Sequence, residues 1–338
     1  MKARIASIEY HLPQTVLTNE QLATEFPEWS ARKIEEKTGI AERRIALGEE
    51  CASDLALTAA KKLFGRGACS PKEIDYLLFC TQSPDYFLPT TACILQDKLG
   101  IPTKAGALDF NLGCSGYVYG LGLAKALIET EQAENVLLLT AETYSKFIHP
   151  KDKSVRTLFG DAGAATLVRG VVGEDELLGP FVYGTDGSGA ENLIVPAGGM
   201  RRRAVPADEE ALEDDDGNLR TSANLYMNGP EIFSFTLRVV PKVIQDLLAR
   251  AGKGPSDIDL YVFHQANQYM LEHLRKRLGI PSEKFAVCMR RFGNTVSCTI
   301  PITLKEAAAE GRIQAGDLIM VVGFGVGYSW GAALVRWG

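Results

Sequence analysis

The chain repeats itself, and the repeat restricts the possible folds more than any local pattern does. Glu73-Ile74-Asp75-Tyr76-Leu77-Leu78-Phe79-Cys80 is matched by Asp257-Ile258-Asp259-Leu260-Tyr261-Val262-Phe263-His264. In both, an acidic turn runs into a short apolar stretch that reads as a buried strand. A helix-like segment follows each and ends in Leu-Gly-Ile-Pro, at 99–102 and 278–281. Each copy then passes through a second expected strand to a glycine and a reactive residue, Gly113-Cys114 and Gly293-Asn294. Asn135-Val136-Leu137-Leu138-Leu139 and Asp317-Leu318-Ile319-Met320-Val321-Val322 are again strand-like, and each copy closes near Gly-Ala-Ala, at 163–165 and 331–333.

Strands alternating with helices at this spacing imply an α/β protein of parallel or mixed sheets covered by helices. The expected halves are 1–170 and 171–338. A pseudo-twofold between them sets equivalent loops face to face. Cys114 and Asn294 become corresponding positions, and His264 mirrors Cys80, so a site at the junction gathers residues from distant parts of the sequence. Within the second half, residues 198–222 carry Arg201-Arg202-Arg203 and then Asp208, Glu209, Glu210 and Glu213 to Asp216. This stretch reads as a solvated polar insertion.

At 338 residues the chain can bury a large core. Its formal net charge of -6 gives no overall electrostatic footprint for nucleic acid. The seven cysteines are odd in number and contain no CxxC pair, so neither a disulfide framework nor a zinc site is indicated. Apart from Cys114 they read as small buried hydrophobes, which fits a reducing cytoplasm. The N-terminus lacks the apolar core of a signal peptide, and no apolar run reaches membrane-spanning length.

Three short stretches carry the chemistry: Asn111-Leu112-Gly113-Cys114-Ser115-Gly116, Phe263-His264-Gln265-Ala266-Asn267 and Arg291-Phe292-Gly293-Asn294-Thr295. A cysteine, a histidine and an asparagine supply a nucleophile for a thioester and two hydrogen-bond donors for an oxygen that becomes negative. The segment after Cys114 is small and apolar and reads as a buried helix. Its N-terminal dipole is expected to favour the thiolate. Gly113 and Gly116 are expected to let substrate and backbone approach closely. By residue type alone, a histidine at a strand end and an asparagine in a turn are more often structural.

With these residues in view, the chain resembles the β-ketoacyl-acyl-carrier-protein synthase III family of thiolase-like condensing enzymes. The resemblance runs through Lys37-Thr38-Gly39-Ile40-Ala41-Glu42-Arg43-Arg44, Leu158-Phe159-Gly160-Asp161-Ala162-Gly163-Ala164-Ala165 and Met227-Asn228-Gly229-Pro230-Glu231-Ile232-Phe233. It continues through His264-Gln265-Ala266-Asn267, Gly293-Asn294-Thr295 and Gly323-Phe324-Gly325-Val326-Gly327-Tyr328-Ser329-Trp330-Gly331. It implies a five-layered αβαβα sandwich of two similar halves, a homodimer, and no metal or cofactor. It implies that Cys114 is acylated from an acyl thioester. Neutral His264 and Asn294 then hold the carbonyl of a malonyl thioester, carried by acyl carrier protein, through decarboxylation. A second oxyanion hole is formed by the backbone N–H groups of Cys114 and Val326. The product is a 3-oxoacyl thioester.

The chain also departs from the family's pattern. Lys33 stands where coenzyme A-primed members carry a tryptophan that stacks on adenine, Lys37 replaces an arginine, and Lys153 takes the place of the arginine on the other adenine face. Lysine makes no planar contact of that kind, so these three are candidate coenzyme A or pantetheine contacts of a different sort, with Trp29 nearby. Leu88 aligns with the bulky acyl-pocket residue that the partner subunit contributes. Tyr269 replaces an arginine, while Arg275, Lys276 and Arg277 form a basic cluster suited to an acidic carrier protein. These departures leave open acyl transfer to a non-malonyl acceptor and, in another class, a non-catalytic carrier-binding subunit. A hydroxymethylglutaryl type of condensation needs a glutamate near Thr81-Gln82.

Overall fold

The computed structural model describes residues 1–206 and 209–338; Ala207 and Asp208, inside the expected polar insertion, lie outside the described residues. Two sheets dominate. The first has five strands in the spatial order Lys2–His11, Ala162–Val171, Asn135–Glu142, Tyr76–Cys80, Gly106–Phe110. The second has four, in the order Leu178–Thr185, Ser329–Arg336, Leu318–Gly325, Leu260–Phe263. The directions correspond as well. Tyr76–Cys80 runs parallel to Asn135–Glu142, as Leu260–Phe263 does to Leu318–Gly325. The next two pairings in each sheet are antiparallel.

The composition of each element follows from the layer it occupies. The helix Gly116–Glu129 packs against strands of both sheets, together with the helix Thr299–Ala309. A helix covered on two sides gives little surface to water, which explains the apolar run at 116–122, although Leu123 is left exposed. Tyr117, Val118, Leu121 and Ala124 join Leu78, Leu138, Val262 and Val321 in one buried cluster between the sheets. The strands are buried on both faces, so they read as continuous apolar runs instead of alternating ones. The helices Ala52–Gly65 and Thr91–Lys98 cover the outside of the first sheet, and Gly229–Ala251 covers the second. The layers are therefore helix, sheet, helix, sheet, helix.

The repeat is incomplete in one place. The strand expected before Gly293-Asn294 shrinks to a single parallel bridge, Tyr261 to Phe285. A side chain replaces the missing backbone partner. Gln265 Nε2 donates to the carbonyls of Phe263 (2.7 Å) and Ala286 (3.3 Å), and Gln265 Oε1 accepts the Cys288 N–H at 2.8 Å. The expected solvated insertion is also more ordered than its charge suggests. Leu212–Glu213 pairs with Leu219–Arg220, and the Arg220 guanidinium binds both Asp152 and Asp214. Not all cysteines outside the motif are buried: Cys93 is exposed, and Cys51 and Cys288 are half-buried. Each of these three sits near a helix end or in an irregular segment, where fewer neighbours cover it.

Candidate active site

Cys114, His264 and Asn294 line one cavity of about 70 Å³, with residues of both halves of the chain around it. Cys114 sits just before the helix Gly116–Glu129, His264 just after the strand Leu260–Phe263, and Asn294 in the turn leading to Thr299–Ala309. All three are buried, at 4%, 2% and 5% exposure. Leu158, Phe159, Ile232, Met270 and Phe324 supply apolar walls.

The nucleophile turn is held by close packing. A Cβ on Gly325 would stand 2.8 Å from Cys114 Cβ and 2.9 Å from its Sγ, so that loop lies directly on the thiol. The Ser115 hydroxyl meets the Ser329 hydroxyl at 2.6 Å, and Ser329 Oγ donates to the Val326 carbonyl at 2.9 Å. These bonds fasten the Gly325–Val326 loop to the cysteine. The space beside Gly113 and Gly116 is taken by the protein itself: Gln82 and Val326 at the first, Cys80 Sγ at the second. The expectation that these two glycines make room for substrate is corrected accordingly.

Burial pushes the Cys114 thiol up to about 12, helped by the charge of Glu142 and resisted by its contact with the Val326 backbone. The expected helix-dipole activation is overridden. The helix begins two residues later, with Ser115 as its cap, and a desolvated sulfur outweighs the weak field there.

His264 is neutral for the same physical reason. Burial lowers its imidazole to about 3, with only the Val296 carbonyl pulling the other way. Its Nδ1 lies 2.8 Å from Thr299 Oγ1. That hydroxyl has one proton and a second acceptor, the Val296 carbonyl at 3.0 Å. The hydroxyl donates to that carbonyl, and the Nε2–H tautomer, which a donor needs, requires it to turn to Nδ1 instead. Asn294 is oriented by a group that can only donate. The Val296 N–H meets Asn294 Oδ1 at 2.9 Å, which leaves Nδ2 as the free end of the carboxamide. One of its hydrogens points to the Ala266 carbonyl at 3.4 Å.

The remaining candidates lie elsewhere. Val326 adjoins a larger cavity of about 530 Å³, lined also by Gln82, Tyr86, Phe87, Tyr144, Phe147 and Leu193. Leu88 lines neither cavity and is 85% exposed, on a loop with exposed Tyr86 and Phe87. Lys33 and Lys37 place their ammonium groups 5.4 and 4.6 Å from the Trp29 ring centroid, and Lys153 pairs with Glu28 at 2.8 Å. The three lysines thus form one cluster around Trp29. Arg275 is held by Glu272 and donates to the Ile280 carbonyl at 2.8 Å, whereas Lys276 and Arg277 are exposed. Phe233, Tyr269 and His273 stack beside them. Among the described residues no cluster of metal-ligating side chains occurs.

Sequence reading missed Thr299 and Glu142. Thr299 looks like an ordinary first-turn threonine. Glu142 carried a signal that went unused, an acid at the end of a strand that otherwise reads as buried.

Comparison with known proteins shows the family. Residues 108–187 match the profile of 3-oxoacyl-[acyl-carrier-protein] synthase III, and residues 248–337 match that of its C-terminal part. The chain is 38% identical to a β-ketoacyl-[acyl-carrier-protein] synthase III from Caldanaerobacter subterraneus, over 97% of this chain and 95% of the relative. A crystal structure of 3-oxoacyl-(acyl-carrier-protein) synthase III superposes with a TM-score of 0.98 at 55% identity, covering 100% of both chains. The Burkholderia xenovorans 3-oxoacyl-(acyl-carrier protein) synthase gives 0.91 at 38%, over 100% of this chain and 95% of that one.

Proposed function

Given that the chain belongs to the β-ketoacyl-acyl-carrier-protein synthase III family, we propose that Cys114, His264 and Asn294 carry its decarboxylating Claisen condensation. The Cys114 sulfur attacks the carbonyl of an acyl thioester, and the carrier thiol leaves. The carbonyl oxygen of a malonyl thioester then sits between His264 Nε2–H and Asn294 Nδ2–H. Carbon dioxide departs, and the two neutral donors stabilise the enolate. The carbanion attacks the acyl group on Cys114. The N–H groups of Cys114 and Val326 hold the resulting oxyanion, and the sulfur is expelled as the 3-oxoacyl thioester forms.

The observation that carries this reading is the single buried cavity shared by one thiol and two uncharged donors from the other sheet. Neutral donors suit the enolate well, because a buried imidazolium would be hard to keep charged there. The thiol's raised pKa fits a nucleophile that gives up its proton only as it attacks.

The exposed loop supports a homodimer. Tyr86, Phe87 and Leu88 are 62%, 76% and 85% exposed beside the 530 Å³ cavity, a concentration of apolar surface that a second copy would cover. Leu88 then reaches the partner's acyl pocket. Lys276 and Arg277 offer the positive charge for an acidic carrier protein. Lys33, Lys37 and Lys153 offer positive charge for the phosphates of a coenzyme A or pantetheine arm. Among the described residues no helix is long and apolar enough to cross a membrane; all seven cysteines are free thiols, which suits a reducing cytoplasm.

Weighing the intact protein after incubation with a panel of acyl-coenzyme A and acyl-carrier thioesters tests the reading. One acyl mass should add to the native chain and none to Cys114→Ala. An adduct that survives Cys114→Ala would overturn it.

A further inference from the structure

Glu142 ends the strand Asn135–Glu142 and has no exposed surface. Its two oxygens face different parts of the fold. Oε2 accepts the Gln82 N–H at 3.0 Å and the Ser83 hydroxyl at 3.2 Å. Oε1 accepts the Ser297 hydroxyl at 3.1 Å. The acid therefore joins the loop after Tyr76–Cys80 in the first half to the turn after Asn294 in the second.

That turn is strained. Val296, a β-branched residue, adopts φ +54°, a region such side chains almost never enter. Conformations of this kind persist only where the surroundings over-determine them. Val296 is also the hub of the donor geometry. Its N–H orients Asn294 Oδ1, and its carbonyl shares the Thr299 hydroxyl with His264 Nδ1. Ser297 is the next residue, and its bond to Glu142 reaches this turn from the first sheet. The other end of the linkage is braced too. Ser83 Oγ accepts the Thr143 N–H at 3.3 Å, and Gln82 Nε2 donates to Asn111 Oδ1 at 3.0 Å.

We propose that Glu142 is a positioning residue. Through Ser297 it holds the 294–299 turn in the shape that aims the Asn294 carboxamide and the His264 imidazole at the cavity of Cys114. The inference rests on the reading of those two side chains as condensation donors. Glu142 itself makes no hydrogen bond to the cysteine turn, which it meets only through Gln82 and Asn111, whereas Ser297 belongs to the donor turn alone; the selective effect on one half-reaction is therefore read most cleanly at Ser297.

Three variants test it: Glu142→Ala, Ser297→Ala and Glu142→Gln. Two rates are followed, acyl adduct growth on Cys114 by intact mass and 3-oxoacyl product formation from a malonyl-carrier thioester. Glu142→Ala and Ser297→Ala should keep acylation within about 3-fold and lose condensation by about 10-fold or more, the scale of a misaimed donor. Glu142→Gln should recover condensation to within about 3-fold, since its carboxamide can accept from Gln82 and Ser83 and donate to Ser297. Equal losses in both steps would overturn the proposal, as would unchanged condensation in folded Ser297→Ala. If Glu142→Ala does not fold, Ser297→Ala carries the test, because it removes a single hydroxyl. Asn294→Ala run alongside separates the two levels. If that variant condenses normally, the donor reading itself fails; if it is inactive while Ser297→Ala is not, only the Glu142 assignment falls.

Discussion

Two turns in corresponding places, one leading into Gly116–Glu129 and one into Thr299–Ala309, are built by different means. The turn with Cys114 has no residue at positive φ and is fixed chiefly by contact, Gly325 against the sulfur and Cys80 against Gly116, with one hydroxyl pair, Ser115 to Ser329, tying it to the facing loop. The turn with Asn294 holds the strained Val296 and is fixed by hydrogen bonds from Glu142, Thr299 and its own backbone. The difference follows from the task. A nucleophile needs its sulfur at one point, which packing can set. A donor needs an N–H aimed along one direction, which requires partners for the atoms that must not face the substrate. Damage to the first turn should therefore slow acylation, and damage to the second should spare acylation and slow condensation.

Among variants that keep all three reactive side chains, the largest effect is expected at the contact. Gly325→Ala puts a methyl group 2.8 Å from Cys114 Cβ. Overpacking of this kind costs about 1–3 kcal/mol; where the displaced sulfur carries that cost into the transition state, acyl adduct growth by intact mass slows by roughly 5- to 150-fold. An acylation rate equal to that of the native chain would break the comparison.

At the donor turn, Thr299→Val keeps the shape and removes the hydroxyl. Carbon dioxide release from a malonyl thioester should fall by about 10-fold while acylation stays within about 2-fold. Nitrogen-15 shifts of His264 should move from one tautomer toward a mixture. A single unchanged tautomer would show that Thr299 does not select it.

Two buried acids and bases sharpen the contrast through pH. His264 titrates near 6.5 when unfolded and is lowered to about 3 when folded. Its contribution is complete above pH 6.5 and is lost as pH falls from there through about 3. Glu142 moves the opposite way. Burial raises it from 4.5 to about 8, against the pull of its three hydrogen bonds. The folded chain keeps a proton that the unfolded chain releases, so this contribution is complete below 4.5 and is lost as pH rises through 8. Glu142→Gln should flatten the decline in melting temperature between pH 5 and 8. An unchanged slope would show that Glu142 is not the group responsible.

The smallest effect lies outside both turns. Replacing exposed Lys276 and Arg277 by glutamate should raise KM for carrier-bound thioesters by about 3- to 10-fold and lose that difference in high salt. A small-molecule thioester should react as before.

Much of this molecule could be read from the letters, and the failures have physical causes. The repeat and the apolar runs foretold the paired sheets, because strands buried on both faces must be apolar throughout. Cys114, His264 and Asn294 were singled out from their motifs and do share a cavity. The direction of the thiol shift was misread, since the helix dipole is visible in sequence and the depth of burial is not. Glu142 passed as a strand-end residue because its three partners come from segments roughly 60 and 155 positions away. The bridge at Tyr261 and Phe285 was taken for a strand because nothing local shows that Gln265 supplies the pairing.

The most direct measurement is Asn294→Ala, loaded with an acyl group and mixed with a malonyl-carrier thioester. The account predicts a full acyl mass on Cys114 and carbon dioxide release slowed by about 100-fold or more, as expected when one donor to a forming oxyanion is removed. An acylated Asn294→Ala that releases carbon dioxide and forms product at the native rate would contradict it.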